Sequence, residues 1–328
     1  MPAVRLPVLV APDAFKGTFA AEEVAEAIAR GLAAGGVDPL ALPLGDGGEG
    51  TAEVLRRQLG GERRSTVAHD PLGRERPSEY VLLTDGRAVV EVAAASGLAA
   101  LAENERDPEA ASSAGTGELI ALAIAAGART VLVAAGGSAS TDGGRGAIEA
   151  LGAAGGSQGA RLVVLCDVRT PFERAAARFG PQKGADAQTV ARLEERLDKL
   201  ARSFPRDPRG VPMTGAAGGL AGGLWAVCDA QLEPGARFVL DALGFDRRLR
   251  ESRAVVVGEG RLDSTTLEGK ALAEAATRAR QLGVPAHAIV GGNAIDAFDA
   301  RILDLQTIHE GGSLVQIEAI ARDLVVLL

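Results

Sequence analysis

The sequence predicts an α/β protein in which a Rossmann-like parallel sheet domain is joined to a second, inserted α/β domain. At both ends of the chain, short apolar runs with the length of buried strands alternate with segments of helical periodicity. The middle of the chain breaks this rhythm with two extended segments joined by Asp85-Gly86, which is a strong hairpin signal. We therefore predict a discontinuous first domain, residues 1–64 plus 236–328, and a second domain over residues 65–235.

The first part of the chain reads as strand, helix, strand, helix. A short apolar run ends just before Asp13, and apolar residues from Val24 to Leu32 then recur at helical spacing. The predicted elements are a strand at 8–10, a helix at 20–32, a strand at 40–44 and a helix at 49–59. This order is typical of a parallel sheet flanked by helices.

The remaining elements follow from the same two patterns. In the middle we predict strands at 78–84, 87–93, 130–135 and 161–166, helices at 117–126, 146–151 and 187–203, a loop at 205–212, and a helix of small residues at 215–228. At the end we predict strands at 253–257, 286–290 and 305–308, with helices at 267–282 and 317–328. The return to alternation predicts that both ends of the chain build one sheet.

Composition argues against several classes of protein. Lys and Arg number 35 against 43 Asp and Glu, giving a formal net charge of −8 and a pI near 5.2, which disfavours nucleic-acid binding. No apolar run reaches the roughly 18 residues of a membrane span, and the apolar start is too short for a secretory signal. Cys166 and Cys228 form neither a disulfide framework nor a metal-ligand spacing. We expect a cytoplasmic protein with small-molecule partners and no nucleic-acid or membrane partner.

Glycine is used unusually often, at 43 of 328 residues, whereas aromatic residues make up only 3%. The charged glycine-rich segments follow predicted strands and occupy residues 13–18, 45–50, 136–144, 179–185 and 258–266. Ligands of open α/β sheets bind outside the carboxyl ends of the strands, so we expect these five loops to face one crevice.

The first two loops offer a cation and two acids. Lys16 beside a glycine at a helix start suits an anion, although a simple helix cap would look the same. The segment Gly45–Gly50 formally matches GxGxxG, with Asp70 about 20 residues on, as in dinucleotide-binding proteins. Asp46 and Glu49 would face a pyrophosphate there without a cation, so they suit Mg²⁺ or substrate hydroxyls better.

The other three loops combine glycine with hydroxyls, amides and charges. The segment Gly136–Gly144 contains four glycines and three hydroxyl residues before a helix, which indicates a backbone nest for phosphate or carboxylate. The fourth loop supplies Gln182 and Lys183. The fifth mixes acids, cations and hydroxyls and precedes Gly269-Lys270, but a Walker A motif is absent.

Taken in order, these motifs resemble the glycerate kinase family with two α/β domains. The segments are APDAFKG at 11–17, GDGGEG at 45–50, DPLG at 70–73, SSAGTGELI at 112–120, GGSASTDGG at 136–144, CDV at 166–168, FGPQKGA at 179–185, GAAGGLAGG at 215–223 and GEGRLDSTTLEGKA at 258–271. The resemblance implies ATP-dependent and Mg²⁺-dependent phosphorylation of D-glycerate, usually on the 2-hydroxyl to give 2-phosphoglycerate, with the active site between the domains. Ala14, Ala114 and Ser140-Thr141 depart from the family's usual residues, which puts fine substrate contacts in question rather than the reaction.

With this resemblance, residue chemistry assigns candidate roles for phosphoryl transfer. The residues predicted to be catalytic are Lys16, Asp46, Lys183 and Asp263, and the candidate Mg²⁺ ligands are Asp46, Glu49 and Asp263. The predicted substrate-binding or phosphate-binding residues are Gly47, Gly48, Glu49, Gly136, Gly137, Ser138, Asp142, Gln182, Glu259, Arg261 and Lys270. The sequence leaves open which loops bind ATP and which bind glycerate.

Three alternative functions remain open from sequence. The first is glycerate 3-kinase activity on the same substrate. The second is an NAD(P)-dependent oxidoreductase, supported by the GxGxxG match at Gly45–Gly50. The third is a non-enzymatic carboxylate sensor, because hinged pairs of α/β domains also bind carboxylates without chemistry.

Overall fold

A computed structural model describes residues 6–328 and divides the chain into two compact units. Unit 1 contains the chain up to Asp46 together with Ala236–Leu328, and unit 2 is Gly47–Gly235. The first division falls earlier than the boundary that we predict at residue 64. The reason is that the helix after residue 50 belongs to unit 2, where the backbone N–H of Ala52 donates to Glu91 Oε1 at 2.8 Å.

The elements alternate along most of the chain. The strands are β1 (Val8–Pro12), β2 (Pro39–Ala41), β3 (Gly61–His69), β4 (Glu75–Leu83), β5 (Arg87–Glu91), β6 (Thr130–Ala134), β7 (Arg161–Cys166), β8 (Gln231–Pro234), β9 (Ala254–Glu259), β10 (Ala286–Val290) and β11 (Leu305–Glu310). The α-helices are α1 (Ala21–Ala34), α2 (Thr51–Leu59), α3 (Val92–Ser96), α4 (Ala114–Ala125), α5 (Arg145–Ala153), α6 (Ala175–Phe179), α7 (Ala187–Ser203), α8 (Leu220–Val227), α9 (Gly235–Ala242), α10 (Phe245–Arg250), α11 (Ala271–Leu282), α12 (Ala297–Leu303) and α13 (Leu314–Leu324). Within residues 6–328, no helix is both long enough and apolar enough to cross a membrane.

Unit 1 is built on a parallel five-stranded sheet in the order β11-β10-β9-β1-β2. Helices α1 and α13 pack together, and Ile28 and Ile317 join Val10 and Val256 of the sheet in one apolar cluster. The alternate strand residues, such as Val255, are equally buried, so both faces of the sheet are covered. This is the Rossmann-like arrangement that the alternating ends of the chain predict.

Unit 2 contains a six-stranded sheet in the order β3-β4-β5-β6-β7-β8. Its strands from β5 to β8 run parallel, whereas β3-β4 and β4-β5 are antiparallel pairs. The predicted hairpin at Asp85-Gly86 is the β4-β5 connection. Strand β3 is not among our predictions, because most of its side chains are exposed and the segment therefore lacks an apolar alternation.

The segment that we predict as one small-residue helix over 215–228 is broken. It forms a 3₁₀ turn at Ala216–Gly219, followed by α8, and Ala217 and Gly218 have positive φ of 52° and 66°. A Cβ at Gly218 would lie 2.0 Å from the carbonyl oxygen of Ser140. Close backbone packing against the loop after β6 therefore requires this break, and the helical prediction for its first half is wrong.

Candidate functional site

The crevice of unit 1 lies where its sheet changes winding direction. Strands β1 and β9 are neighbours, the chain continues from β1 to β2 on one side, and it continues from β9 to β10 and β11 on the other. Such a switch point opens a crevice at the carboxyl ends of the strands. Asp13 follows β1, Asp46 follows β2, and Glu259 ends β9; all three line a cavity of about 420 Å³.

Glycines let the backbones of these loops approach each other closely. A Cβ at Gly260 would lie 3.1 Å from the Cα of Phe15, and one at Gly291 would lie 2.5 Å from the carbonyl oxygen of Gly260. The loops after β1, β9 and β10 therefore pack backbone to backbone at the edge of the cavity. Side chains that point from these loops are held in a rigid frame.

Lys16 and Asp46, two of the predicted catalytic residues, form an ion pair. The Lys16 Nζ atom lies 2.6 Å from Asp46 Oδ2, with the Asp46 side chain buried and that of Lys16 about half exposed (51%). A buried carboxylate held by a half-exposed ammonium leaves the cation accessible to a ligand from the cavity. The structure thus brings these two predictions together.

Asp13 is a site residue that our sequence-based assignment misses. Its side chain is buried, and Oδ1 accepts a hydrogen bond from the backbone N–H of Ala14 at 2.8 Å. Burial raises the pKa of Asp13 well above its ordinary value, and the nearby carboxylate of Asp46 raises this pKa further, while Lys16 opposes the shift. The signal in the sequence was its position directly after the first strand.

Glu259 and Lys270 form a second acid–cation pair in the same cavity. Glu259 Oε1 accepts a hydrogen bond from Thr266 Oγ1 at 2.6 Å, and its Oε2 lies 3.5 Å from Lys270 Nζ. Burial raises the pKa of Glu259, and the hydrogen bond from Thr266 and the charge of Lys270 oppose this shift. Both residues were predicted as binding residues, and both line the cavity.

Asp263 is placed differently from its prediction. Its Oδ1 accepts hydrogen bonds from the Thr265 hydroxyl at 2.6 Å and the Thr265 backbone N–H at 2.9 Å, so it caps the 3₁₀ turn Ser264–Glu268. The Thr265 hydroxyl, by this hydrogen bond, is the main cause that lowers the pKa of Asp263. Its Oδ2 lies 3.4 Å from Nε of the exposed Arg261. Asp263 therefore organises the loop that carries Arg261.

The three predicted Mg²⁺ ligands are divided between the two units. Asp46 and Asp263 belong to unit 1, whereas Glu49 belongs to unit 2. Across residues 6–328, no group of three or more His, Cys, Asp or Glu side chains is arranged to hold a metal ion. The acids that do gather in the unit 1 cavity are Asp13, Asp46 and Glu259.

Unit 2 contains a second polar cavity, of about 290 Å³, at the end of β6. It is lined by Gly136, Gly137, Ser138, Gln182 and Lys183 among others. Each unit thus has a cavity lined by some of the five glycine loops, and the prediction that all five face one crevice stays a prediction.

Lys183 is the buried cation of this cavity. Its side chain is only 2% exposed, and its Nζ atom donates to Ser138 Oγ at 3.0 Å and to the Ser140 carbonyl oxygen at 2.5 Å. Burial lowers the pKa of Lys183 to about 7, and the carboxylate of Asp142 opposes the shift. Gln182, its neighbour, is exposed and lines the same cavity.

The glycines of the second and third loops pack against each other within unit 2. A Cβ at Gly136 would lie 2.6 Å from the Cα of Gly48, and one at Gly47 would lie 2.7 Å from the Cα of Gly235. Gly47 and Gly48, predicted as ligand-binding residues, therefore serve close packing. Gly137 has a left-handed backbone, with φ of 71°.

Asp142 is fully engaged by the protein. Its Oδ2 accepts hydrogen bonds from the Ser113 hydroxyl at 2.7 Å, the Ser113 backbone N–H at 2.9 Å and the Gly146 N–H at 3.1 Å, while Oδ1 accepts from Gly144 N–H at 3.0 Å. These bonds fix the start of α5 and the loop before it. Asp142 therefore positions this loop, and its predicted contact with phosphate or substrate stays a prediction.

Glu49 lies outside the Lys183 cavity, in a groove that also contains Glu79 and Glu91. Burial raises the pKa of Glu91 to about 7, hydrogen bonds from Ala52 and Gly50 N–H groups oppose the shift, and the charge of Glu49 adds to it. Glu91 was also missed from the sequence, because nothing in its local pattern distinguishes it from an ordinary strand-end acid.

Comparisons with known proteins give a consistent result. The sequence model of the glycerate kinase family matches residues 8–161 and 155–316. The chain is 35% identical to the glycerate kinase of Halalkalibacterium halodurans, with 97% of each chain covered, and 34% identical to the glycerate 2-kinase of Escherichia coli, with 92% of each covered. A crystal structure described as glycerate kinase 2 from Salmonella typhimurium LT2 superposes with a TM-score of 0.82 at 32% identity, covering 98% of both chains.

Proposed function

The chain belongs to the glycerate kinase family, and we propose that it transfers the γ-phosphoryl group of ATP to the 2-hydroxyl of D-glycerate, giving 2-phosphoglycerate and ADP. The observation that carries this proposal is the cluster at the switch point of the unit 1 sheet. There, buried acids and half-exposed cations share a cavity of about 420 Å³. Phosphoryl transfer requires such groups for proton removal and charge neutralisation rather than a covalent intermediate.

Asp13 is the group that we propose to accept the hydroxyl proton. A general base works best when its pKa lies near the operating pH. Burial, the largest cause, moves the pKa of Asp13 in that direction, whereas an exposed Asp would be a much weaker base. Asp13 then holds the proton while the hydroxyl oxygen attacks phosphorus.

The cations of unit 1 are proposed to hold the substrate carboxylate. Arg261 is exposed beside the cavity and offers two parallel N–H groups to a carboxylate. Lys16 and Lys270 are each paired with an acid on one side and face the same cavity. A hydroxy acid matches this mixture, because acids accept its hydroxyl hydrogens and cations bind its carboxylate.

Mg²⁺ fits the same cluster. Asp46 and Glu259 would hold it, since both of their charges raise the pKa of Asp13 and a divalent cation would offset that crowding. Mg²⁺ usually takes one or two protein carboxylates and completes its shell with water and phosphate oxygens. When bound, it supplies charge neutralisation for the transferring phosphoryl group.

A coupled assay with ATP, Mg²⁺ and D-glycerate tests the proposal. We expect ADP release that depends on D-glycerate, and phosphorus and carbon NMR of the product should show 2-phosphoglycerate. A 3-phosphoglycerate product would replace the 2-kinase assignment with a 3-kinase one. Reduction of NAD(P)⁺ without ADP release, or binding of D-glycerate without turnover, would overturn the kinase assignment.

The variant Asp46→Ala tests the assignment to the unit 1 cluster. This change removes the buried carboxylate of the ion pair with Lys16, and with it a proposed Mg²⁺ ligand. We expect glycerate-dependent ADP release to fall at least about 100-fold, with an unchanged circular dichroism spectrum. The matched control is Asp323→Ala, since Asp323 is exposed and only loosely paired with Arg322 at 3.5 Å. Wild-type turnover in the Asp46 variant would disprove the assignment.

A further inference from the structure

We propose that the Lys183 cavity of unit 2 binds the phosphate groups of the nucleotide, whereas the unit 1 cavity binds the hydroxy acid. This inference rests on the proposed function, because it assigns the two substrates of that reaction to the two units. Both substrates are anions, so the kinds of acceptor and donor that line each cavity must distinguish their sites.

The two cavities differ in how many charged side chains line them, and above all in the number of carboxylates. The unit 1 cavity is lined by three acids and three cations, namely Asp13, Asp46, Glu259, Lys16, Arg261 and Lys270. Among the described residues that line the unit 2 cavity, Asp167 is the one acid and Lys183 the one cation. The three carboxylates of unit 1 can accept the hydroxyl hydrogens of a polyol acid, whereas a triphosphate has no hydrogen to donate to them. Phosphate oxygens need donors, and the ammonium, hydroxyl and amide groups of Lys183, Ser138 and Gln182 supply them in unit 2.

Within residues 6–328, the Lys183 ammonium has more N–H donors than protein acceptors. An ammonium group has three N–H donors, and within residues 6–328 the structure gives this one two acceptors, Ser138 Oγ and the Ser140 carbonyl oxygen. A lysine that is 2% exposed pays a large desolvation penalty unless further acceptors are supplied. An anionic oxygen in the cavity would supply the third acceptor.

The loop beside Lys183 is shaped for close approach of an anion. Gly136 and Gly137 line the cavity and have no side chain of their own between their backbone and a ligand there. The left-handed conformation of Gly137 is common in backbone nests that bind phosphate. Ser138 adds a hydroxyl, and Gln182 adds an amide at the exposed edge.

Calorimetric titration with each ligand alone tests the assignment. The probes are ATP with Mg²⁺ and, separately, D-glycerate, against wild type, Lys183→Met and the matched control Lys199→Met. Lys199 is exposed and pairs with Glu195. We expect Lys183→Met to weaken ATP binding about 10-fold to 100-fold, as loss of a charged hydrogen bond predicts, and to leave the Kd of D-glycerate within about twofold. The control should change neither.

Wild-type protein provides a second measurement that does not depend on how a variant folds. Before ATP binds, burial holds the pKa of Lys183 at about 7. The carboxylates near its ammonium group are Asp142 and, across the cavity, Asp167. A bound phosphate favours the ammonium and raises this pKa, so ATP binding at pH 8 should take up a fraction of a proton. Titrations in buffers of different ionisation enthalpy measure this uptake, which should be absent for D-glycerate and for ATP with Lys183→Met.

A further variant, Gln182→Ala, keeps the buried lysine in place. Because Gln182 is exposed at the edge of the cavity, its loss should leave folding unchanged and weaken ATP binding about threefold to tenfold.

The outcomes separate this inference from the function on which it rests. If Lys183→Met weakens D-glycerate binding and spares ATP, the cavity is a carboxylate site and the inference is wrong. Lys183 has only a structural role if Lys183→Met binds both ATP and D-glycerate as the wild type does. The same conclusion follows if ATP binding to the wild-type protein takes up no proton at pH 8. Wild-type protein that binds D-glycerate but not ATP would overturn the proposed kinase function itself.

Discussion

The two cavities differ in how they present polar groups. In unit 1, side chains carry the chemistry: Asp13, Asp46 and Glu259 project from the ends of neighbouring strands, and cations pair with two of them. In unit 2, one buried lysine and a glycine-rich backbone do so.

The difference follows from the side chains that surround and hold the loops of each unit. The unit 1 acids crowd together, and the charges of Asp46 and Glu259 raise the pKa of Asp13, so the protonation of Asp13 can follow a reaction. The unit 2 loop is held by hydrogen bonds from backbone groups to Asp142, so its shape depends little on its ligand. Unit 1 is therefore suited to proton transfer during the reaction, whereas unit 2 offers a preformed loop for ligand binding.

The largest expected effect tests whether proton acceptance by Asp13 distinguishes unit 1 from unit 2. The variant Asp13→Asn keeps the size of the side chain and its acceptor for Ala14 N–H but cannot take a proton. Loss of a general base typically costs about 10²–10⁴-fold in rate. We expect kcat for D-glycerate phosphorylation to fall by that factor, with little change in the Kd of ATP, as measured by the coupled assay and by calorimetry.

The control for this variant is Asp323→Asn, which makes the same chemical change at an exposed position. It should leave kcat unchanged. A kcat for Asp13→Asn within twofold of wild type would show that proton acceptance does not distinguish unit 1 from unit 2.

A smaller effect concerns stability, and it compares how closely the backbone packs at Gly136 in unit 2 and at Gly260 in unit 1. At Gly136 an added methyl group meets the Cα of Gly48 at 2.6 Å, whereas at Gly260 it meets the Cα of Phe15 at 3.1 Å. Neither glycine has a positive φ, so steric contact is the main difference. We expect Gly136→Ala to reduce the free energy of unfolding by ~2–3 kcal/mol, and Gly260→Ala by ~1 kcal/mol or less.

Urea unfolding with both variants measures this difference. Any gain from reduced chain entropy on replacing glycine by alanine applies to both positions, so it cancels in the comparison. Equal losses of stability would mean that the backbone is no more tightly packed at Gly136 than at Gly260.

The fold was predictable where strands and helices alternate with apolar periodicity. The predicted strands and helices of unit 1 correspond in order to β1, α1, β2, β9, α11, β10, β11 and α13. Strand β3 could not be predicted, because as an exposed edge strand it has no apolar face to reveal it. The break at Ala217 and Gly218 was equally hidden, since contact with Ser140 imposes it and local propensity does not.

The site was predictable by residue type but not by grouping. Lys16, Asp46, Glu259, Arg261 and Lys270 do line one cavity. Sequence order could not show that the loop carrying Glu49 belongs to the other unit. It also could not show that the carboxylate of Asp142 accepts four hydrogen bonds from the protein. Asp13 was missed because its importance comes from burial beside other acids, which only the fold creates.

The smallest expected effect concerns Glu91. It tests whether a charged carboxylate or only a hydrogen-bond acceptor holds the backbone at Gly50 and Ala52. Glu91 accepts hydrogen bonds from Ala52 and Gly50 N–H groups, and burial raises its pKa from 4.5 to about 7. Between these two values the unfolded chain has released the proton while the folded chain retains it. The free energy of unfolding therefore decreases as pH rises through this window, and the loss is complete above pH 7.

The variant Glu91→Gln should remove this pH dependence, because an amide oxygen can accept the same N–H bonds without an ionisation cost. After discounting for partial solvent access, we expect the variant to match wild type at pH 5 and to gain ~1–2 kcal/mol over it at pH 8. Urea midpoints at the two pH values measure the difference, with Glu79→Gln as a control at a more exposed acid of the same groove. A variant less stable than wild type at pH 8 would mean that the charge itself anchors the loop. Unit 2 would then depend on ionised side chains as unit 1 does, and the contrast between the two units would be lost.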